Sequence, residues 1–309
     1  RIIELTSNEA GIVFRKDKTF LLDWMQVYME AQESAGKKDG SQIKIAMRIL
    51  KDYAGEMVTL DQIDGDFCRG YITYLLTEYH PKGKDISNYT LHNYYRALNG
   101  ALNSAVRKKK MKANPFNELE KSEKIRKPES MRSYMTIEEV QALIDTPMPH
   151  EEYEIVKCAY LFSCFCGLRI SDIIKLKWND VFVDRGQYRL AVSMKKTKEP
   201  IYLPLSPEAL KWMPERGGKS SEDNVFDLPS ANTIRMQLKP WAKAAGISKR
   251  FSYHTSRHTF ATMMLTLGAD LYTVSKLLGH ADVKMTQVYA KIINKKKDEA
   301  VNLVNGLFH

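Results

Sequence analysis

Cysteine is scarce in this 309-residue chain. The four present, Cys68, Cys158, Cys164 and Cys166, form no Cys-x-x-Cys pair and have no paired histidines nearby. That excludes the usual zinc patterns. Three of them lie in the apolar run CAYLFSCFC, which predicts buried free thiols and a reducing, cytoplasmic setting. Long apolar stretches are also missing. No run approaches the roughly 20 residues of a membrane span, and no signal peptide opens the chain. Internal repeats and low-complexity tracts are absent. Acidic residues are in deficit, 37 against 47 Lys and Arg, which leaves a net charge of +10. With 44% apolar residues the chain is too hydrophobic for disorder. A basic globular protein of this kind most often meets a polyanion, and nucleic acid is the default.

Hydrophobic periodicity divides what is present. Residues 1–16 are too short for a domain and read as the tail of something upstream. From Phe20 the pattern is helical, with Leu21, Trp24, Met25, Val27 and Tyr28 on one stripe. Gly36 to Gly40 break it. Ile43, Met47, Leu50 and Tyr53 mark a second helix. Thr59 or Asp61 opens a third, with Phe67, Tyr71, Tyr74 and Leu75 inward. Ser87 caps a fourth, carrying Leu91, Tyr95, Leu98, Leu102 and Val106. This predicts an all-α domain over 17–116. Residues 117–133 are poor in apolar side chains and read as an extended linker. Residues 134–309 form a second domain. In it Thr136 and Glu139 make a capping box, Gly167 stops a helix that runs through Val156 to Cys166, and Asp172 to Trp178 is helical. The one clear β region is three antiparallel strands, Val181 to Val183, Gln187 to Met194 and Ile201 to Leu203. Pro200 fits only an edge strand or the first residue of a strand. The fold class is mainly α with a small three-stranded antiparallel sheet.

Several residues of the second domain share one chemistry. Arg169 follows a Gly-Leu turn, where its planar fork can hold two phosphate oxygens or pair with Asp172. His254 and Arg257 stand three apart at a helix start, on one side of it. His258, next in line, is expected to point elsewhere and is not counted. His280 follows the helix stop at Gly279, and Tyr289 lies nine positions on. Lys195, Lys196 and Lys198 occupy a hairpin tip, either as a solvated turn or as a proton donor to an alkoxide. Arg107, Lys108, Lys109 and Lys110 end the fourth helix as a solvated face or as a phosphate contact. Individually each feature is weak.

Taken in order, GLRISD, the KKTKEPIYLPL hairpin, HTSRHTFAT and LLGHADVKMTQVYAK resemble the motifs of tyrosine recombinases of the phage integrase family. The resemblance is strongest over 134–297 and extends to about 20–300. The phrases FSCFCGLRISDI and YTVSKLLGH resemble integrases of conjugative transposons and related mobile elements of the Bacteroides type. The resemblance implies a two-domain DNA clamp, with the helical domain binding the core site and an arm-binding domain upstream of residue 17. Arg169 and Arg257 would hold the scissile phosphate. Tyr289 would be the nucleophile, giving a 3′-phosphotyrosyl intermediate. His254 would assist the tyrosine and His280 would orient the phosphate. Lys196, eight residues before Pro204, would be the general acid, with Lys195 and Lys198 as rivals, and Asp172 would buttress the site. No metal, ATP or other cofactor is implied. The implied partners are double-stranded DNA and three further copies of the chain in a tetramer on it, with accessory directionality or DNA-bending proteins. The free protein would be a monomer. An apolar end over 292–308 would dock on a neighbouring copy or on its own domain. A DNA-binding protein without catalysis and a relaxing topoisomerase of the same chemistry are the competing readings.

Overall fold

A computed structural model describes residues 18–128, 132–193 and 200–290. The chain divides into two units, Arg1–Ser130 and Met131–His309. The first is built from four helices, α1 (Leu21–Ser34), α2 (Gly40–Ala54), α3 (Gly65–Thr77) and α4 (Asn88–Arg107). Its core holds Trp24, Met25, Ile43, Leu50, Tyr71, Leu98 and Leu102. Trp24 donates its indole N–H to the Ala101 carbonyl at 2.8 Å, so its polar edge is satisfied inside the core. Ser87 caps α4 by accepting from the Thr90 amide. The third helix starts later than the sequence suggests. Thr59 caps only a short 3₁₀ turn, Leu60–Gln62, and Asp64 caps α3 through the Phe67 amide at 2.8 Å. Val27, assigned to the inner stripe of α1, is 53% exposed.

Residues 117–125 do not run free as linker. Phe116, Leu119 and Ile125 are buried in the helical core, and Glu123 pairs with Arg69 at 2.8 Å. Three apolar residues suffice to dock a segment whose overall composition is polar.

The second unit contains α5 (Ile137–Asp145), α6 (Glu154–Cys166), α7 (Ile170–Ile173), the strands β1 (Val181–Asp184), β2 (Gln187–Ser193) and β3 (Pro200–Pro204), then α8 (Pro207–Leu210), α9 (Ala231–Ala244), α10 (Tyr253–Thr266), α11 (Leu271–Leu277) and α12 (Lys284–Ala290). The capping box of Thr136 and Glu139 is present in both directions. Helix α6 is buried over most of its length and lies at the centre of the unit. Its Tyr160 meets Trp241 and Tyr253 edge-on, with centroids 5.6 and 5.7 Å away. Cys164 and Cys166 are buried free thiols and Cys158 is half-buried. Burial pushes the Cys166 thiol up to about 12, so it stays protonated.

The sheet order is β1-β2-β3, all antiparallel, with Val181 opposite Leu190 and Ala191 opposite Tyr202. Pro200 therefore sits on an edge strand. The β1–β2 turn has Arg185 and Gly186 both at positive φ, the two-residue turn whose twist matches the strands. The helical stretch expected from Asp172 to Trp178 is instead the short α7 and a separate 3₁₀ turn at Trp178–Asp180. No described helix is long and apolar enough to cross a membrane.

Candidate active site

Helix α10 carries most of the site, and its polar residues face inward. Thr255, Ser256, Arg257, His258, Thr259 and Thr262 are all buried. Most are hydrogen-bonded locally or by neighbours, while the Thr262 hydroxyl is buried without a partner. Ser256 donates to the Tyr253 carbonyl at 2.7 Å, and Thr259 accepts from the Met135 amide at 2.9 Å. A polar helix face can be interior only when most of its groups are hydrogen-bonded in this way.

Arg257 is 2% exposed. Its guanidinium donates to the Gly167 carbonyl at 2.7 Å and to the Leu278 carbonyl at 2.5 Å. Two of an arginine's five N–H donors are thus committed to fixing the fork, and the remainder stay available. Burial, followed by the nearby charge of Arg169, lowers its pKa to about 10, so it remains a cation at neutral pH. Arg169 occupies the N-cap position of α7. Its guanidinium is 3.8 Å from a carboxylate oxygen of Asp172. Asp172 is buried, accepts from the Ser171 hydroxyl at 3.2 Å and acts electrostatically on Arg257 as well. One carboxylate therefore offsets part of the repulsion between two guanidiniums.

Tyr289 on α12 is 1% exposed and packs with Phe260, Ala261, Leu265, Val274 and Leu278. Its hydroxyl lies 2.6 Å from Nδ1 of His258. Arg132 approaches it too, with its guanidinium 5.8 Å from the ring centroid. Burial raises the Tyr289 pKa, and Arg132, Arg257 and Arg169 oppose that rise. His280 shares a 2.7 Å hydrogen bond with the Thr286 hydroxyl on α12. His254 is exposed at the start of α10, its ring edge-on to His258 with centroids 4.5 Å apart. Crowding around the ring and the charges of Arg257, Arg132 and Arg169 hold its pKa below the usual imidazole value.

The structure thus brings Arg169, Asp172, His254, Arg257, His280 and Tyr289 together from α7, α10, α12 and the turn after α11. Lys195, Lys196 and Lys198 lie outside the described residues, as does 292–308. Arg107, Lys108, Lys109 and Lys110 are exposed in the first unit, at the end of α4. There they also complement the carbonyl end of the helix. Two members of the site were missed. His258 does not point elsewhere. It lies four residues after His254, and i,i+4 positions share a helix face, which the spacing HTSRH already carries. Arg132 falls in the segment read as linker and has no local signal. Among the described residues no three His, Cys, Asp or Glu side chains gather as a metal site requires.

Gly167 ties the site together. Its φ is +75°, and a Cβ there would lie 2.6 Å from Phe260 Cδ1 and 3.1 Å from Leu278 Cδ2. Gly167→Ala is expected to destabilise the protein by about 2–5 kcal/mol, combining left-handed strain with overpacking. It should also displace the carbonyls that hold Arg257. Urea denaturation measures the loss, and a change below about 0.5 kcal/mol would show that the turn yields freely.

Residues 133–296 match the phage integrase family and residues 20–126 match the phage integrase SAM-like domain. The chain is 29% identical over 242 residues to a tyrosine recombinase of Pseudothermotoga lettingae, covering 71% of this chain and 82% of that one. It is 32% identical over 184 residues to the tyrosine recombinase XerD of Vibrio vulnificus, covering 55% of this chain and 59% of that length. The fold is similar to the Tn1549 transposon integrase in complex with transposon right end DNA, at TM-score 0.69 and 16% identity, covering 93% and 99% of the two chains. It is also similar to the lambda integrase in a tetramer bound to a Holliday junction, at TM-score 0.66 and 20% identity, covering 93% and 84%. On the family match across its second unit, this chain belongs to the phage integrase family of tyrosine recombinases.

Proposed function

We propose that this protein is a site-specific DNA recombinase, the integrase of a mobile genetic element such as a Bacteroides-type conjugative transposon. The observation that carries the proposal is the approach of Arg169 and Arg257 to the buried Tyr289, with His254 and His280 beside the His258 that is hydrogen-bonded to it. The Tn1549 integrase likeness favours the mobile-element reading.

In this mechanism Arg169 and Arg257 hold the non-bridging oxygens of a scissile phosphodiester, and His280 orients it. The Tyr289 oxygen attacks phosphorus as the bond to the 5′ oxygen breaks, leaving a 3′-phosphotyrosyl bond and a free 5′-hydroxyl. Lys196, with Lys195 and Lys198 as rivals, supplies the leaving proton. Negative charge on the phosphorane-like transition state exceeds that of the substrate, so fixed guanidiniums favour it selectively. The phosphotyrosyl bond conserves the energy of the broken one, and no ATP is needed. A 5′-hydroxyl of a partner duplex reverses the step. Done in pairs by four protomers on two duplexes, this builds and resolves a Holliday junction. The free protein is a cytoplasmic monomer, and Arg107 to Lys110 contact phosphates outside the site.

The test is covalent capture. Nicked duplexes with a randomised core are incubated with the protein, and DNA surviving denaturation with detergent is sequenced. Recovery of a consensus core linked to Tyr289 through its 3′ end is expected. Binding without any covalent complex would leave a DNA-binding protein that has lost catalysis.

A further inference from the structure

We propose that His258, rather than His254, is the catalytic base that takes the proton from Tyr289. The assignment rests on the recombinase reading above, but its geometry belongs to the free protein. Among the described residues, His258 is the histidine hydrogen-bonded to the Tyr289 hydroxyl, at 2.6 Å. It follows Arg257 directly on α10, and its ring is held by the Tyr289 hydroxyl and by the rings of His254 and Tyr289. His254 stands one helical turn earlier with its ring packed edge-on against that of His258. Its ring contact is with His258, and it shares no hydrogen bond with the Tyr289 hydroxyl among the described residues.

The proton balance is simple. Neutral His258, with its proton on Nε2, accepts at Nδ1. As the Tyr289 oxygen bonds to phosphorus, the phenol proton passes to Nδ1 and the ring becomes an imidazolium. On rejoining, the bond from phosphorus to the Tyr289 oxygen breaks, and the same Nδ1–H returns the proton to the phenolate. The proton at the 5′ oxygen is handled separately by the general acid.

The surroundings hold this base down in the free protein. His258 is faced by Tyr289 from α12, by His254 and Arg257 from its own helix, by Arg132 from the segment before α5 and by His280 from the turn after α11. Burial and this positive company lower its pKa to about 3. In that state it accepts a hydrogen bond but resists a proton. A phosphodiester arriving on Arg169 and Arg257 places negative charge among those cations and raises the basicity of the ring. The base is thus enabled by the substrate it serves.

The test uses the duplex recovered by covalent capture, made with either an ordinary or a sulfur-bridged 5′ leaving group. Single-turnover cleavage is compared for wild type, His258→Ala, His258→Asn and His254→Ala. Asparagine keeps an acceptor near the position of Nδ1 but cannot take a proton. Both His258 variants are expected to cleave about 10²-fold slower or worse, with DNA affinity retained and no rescue by the sulfur leaving group. His254→Ala should lose less. A wild-type rate for His258→Asn would reduce the residue to a positioning group, and rescue by sulfur would place it on the leaving-group side. Either result overturns the assignment. Capture of no DNA by wild type would count against the recombinase reading instead. Imidazole nitrogen NMR on the wild-type protein without DNA then decides the geometry: a bare Nδ1 that shifts in Tyr289→Phe is expected, and a proton resident on Nδ1 overturns the proposal even if a variant fails to fold.

Discussion

Tyr289→Phe is expected to abolish the covalent protein–DNA complex completely while leaving DNA binding within a few-fold of wild type. The change removes one oxygen and nothing else. The ring packs among Phe260, Leu265, Val274 and Leu278, and phenylalanine fills the same space. The loss in stability is limited to the hydroxyl's hydrogen bonds, principally that to His258, and should be about 1–3 kcal/mol if the imidazole nitrogen is left without a partner. Catalysis has no such reserve, because no other nucleophile can form the phosphotyrosyl bond. Gel separation under denaturing conditions, with a parallel binding measurement, reads both quantities. A surviving adduct would remove Tyr289 from the mechanism, and loss of binding together with the adduct would point to a structural role for its hydroxyl.

What was legible in the sequence was mostly local. The Ser87 cap, the Thr136–Glu139 box, the Asp-Arg-Gly turn between β1 and β2 and the stop at Gly167 each depend on neighbours within a few positions. The differences arise where two local signals compete or where distant contacts decide. Asp64 rather than Thr59 begins α3, because a 3₁₀ turn intervenes. Leu119 and Ile125 join the helical core despite their polar surroundings, since contact partners far along the chain decide their burial. The site followed the same rule. Arg169, Arg257, His280 and Tyr289 are singled out by motifs in family order, and each is ordinary in isolation. Arg132 meets Tyr289 across most of the second unit, which no periodicity encodes. His258 is legible from its i,i+4 spacing to His254, which puts it on the His254 face rather than elsewhere on the helix.

Arg257→Ala should produce the largest combined loss. Cleavage is expected to fall by 10²–10³-fold or more, the effect of removing one donor aimed at a developing charge. Stability should fall as well, because the Gly167 and Leu278 carbonyls lose their donor in the interior, at about 2–6 kcal/mol for the pair. Arg257→Lys separates charge from geometry. Lysine keeps the cation but presents a point charge that cannot bridge two carbonyls and still offer a planar edge. It should therefore bind DNA with nearly the wild-type salt dependence and yet cleave almost as poorly as alanine. Single-turnover cleavage and urea denaturation of both variants measure this, and a lysine variant cleaving at the wild-type rate would show that charge alone suffices. The deeper reason for expecting otherwise lies in the free site. Burial and Arg169 both act against the Arg257 cation, and Asp172 offsets them only in part. The buttressing carbonyls keep the guanidinium charged and immobile in that setting. A phosphodiester relieves the repulsion between the two arginines, and the more highly charged transition state relieves it further. The energy held against the free site is thereby returned where the reaction requires it, provided that the fork does not move.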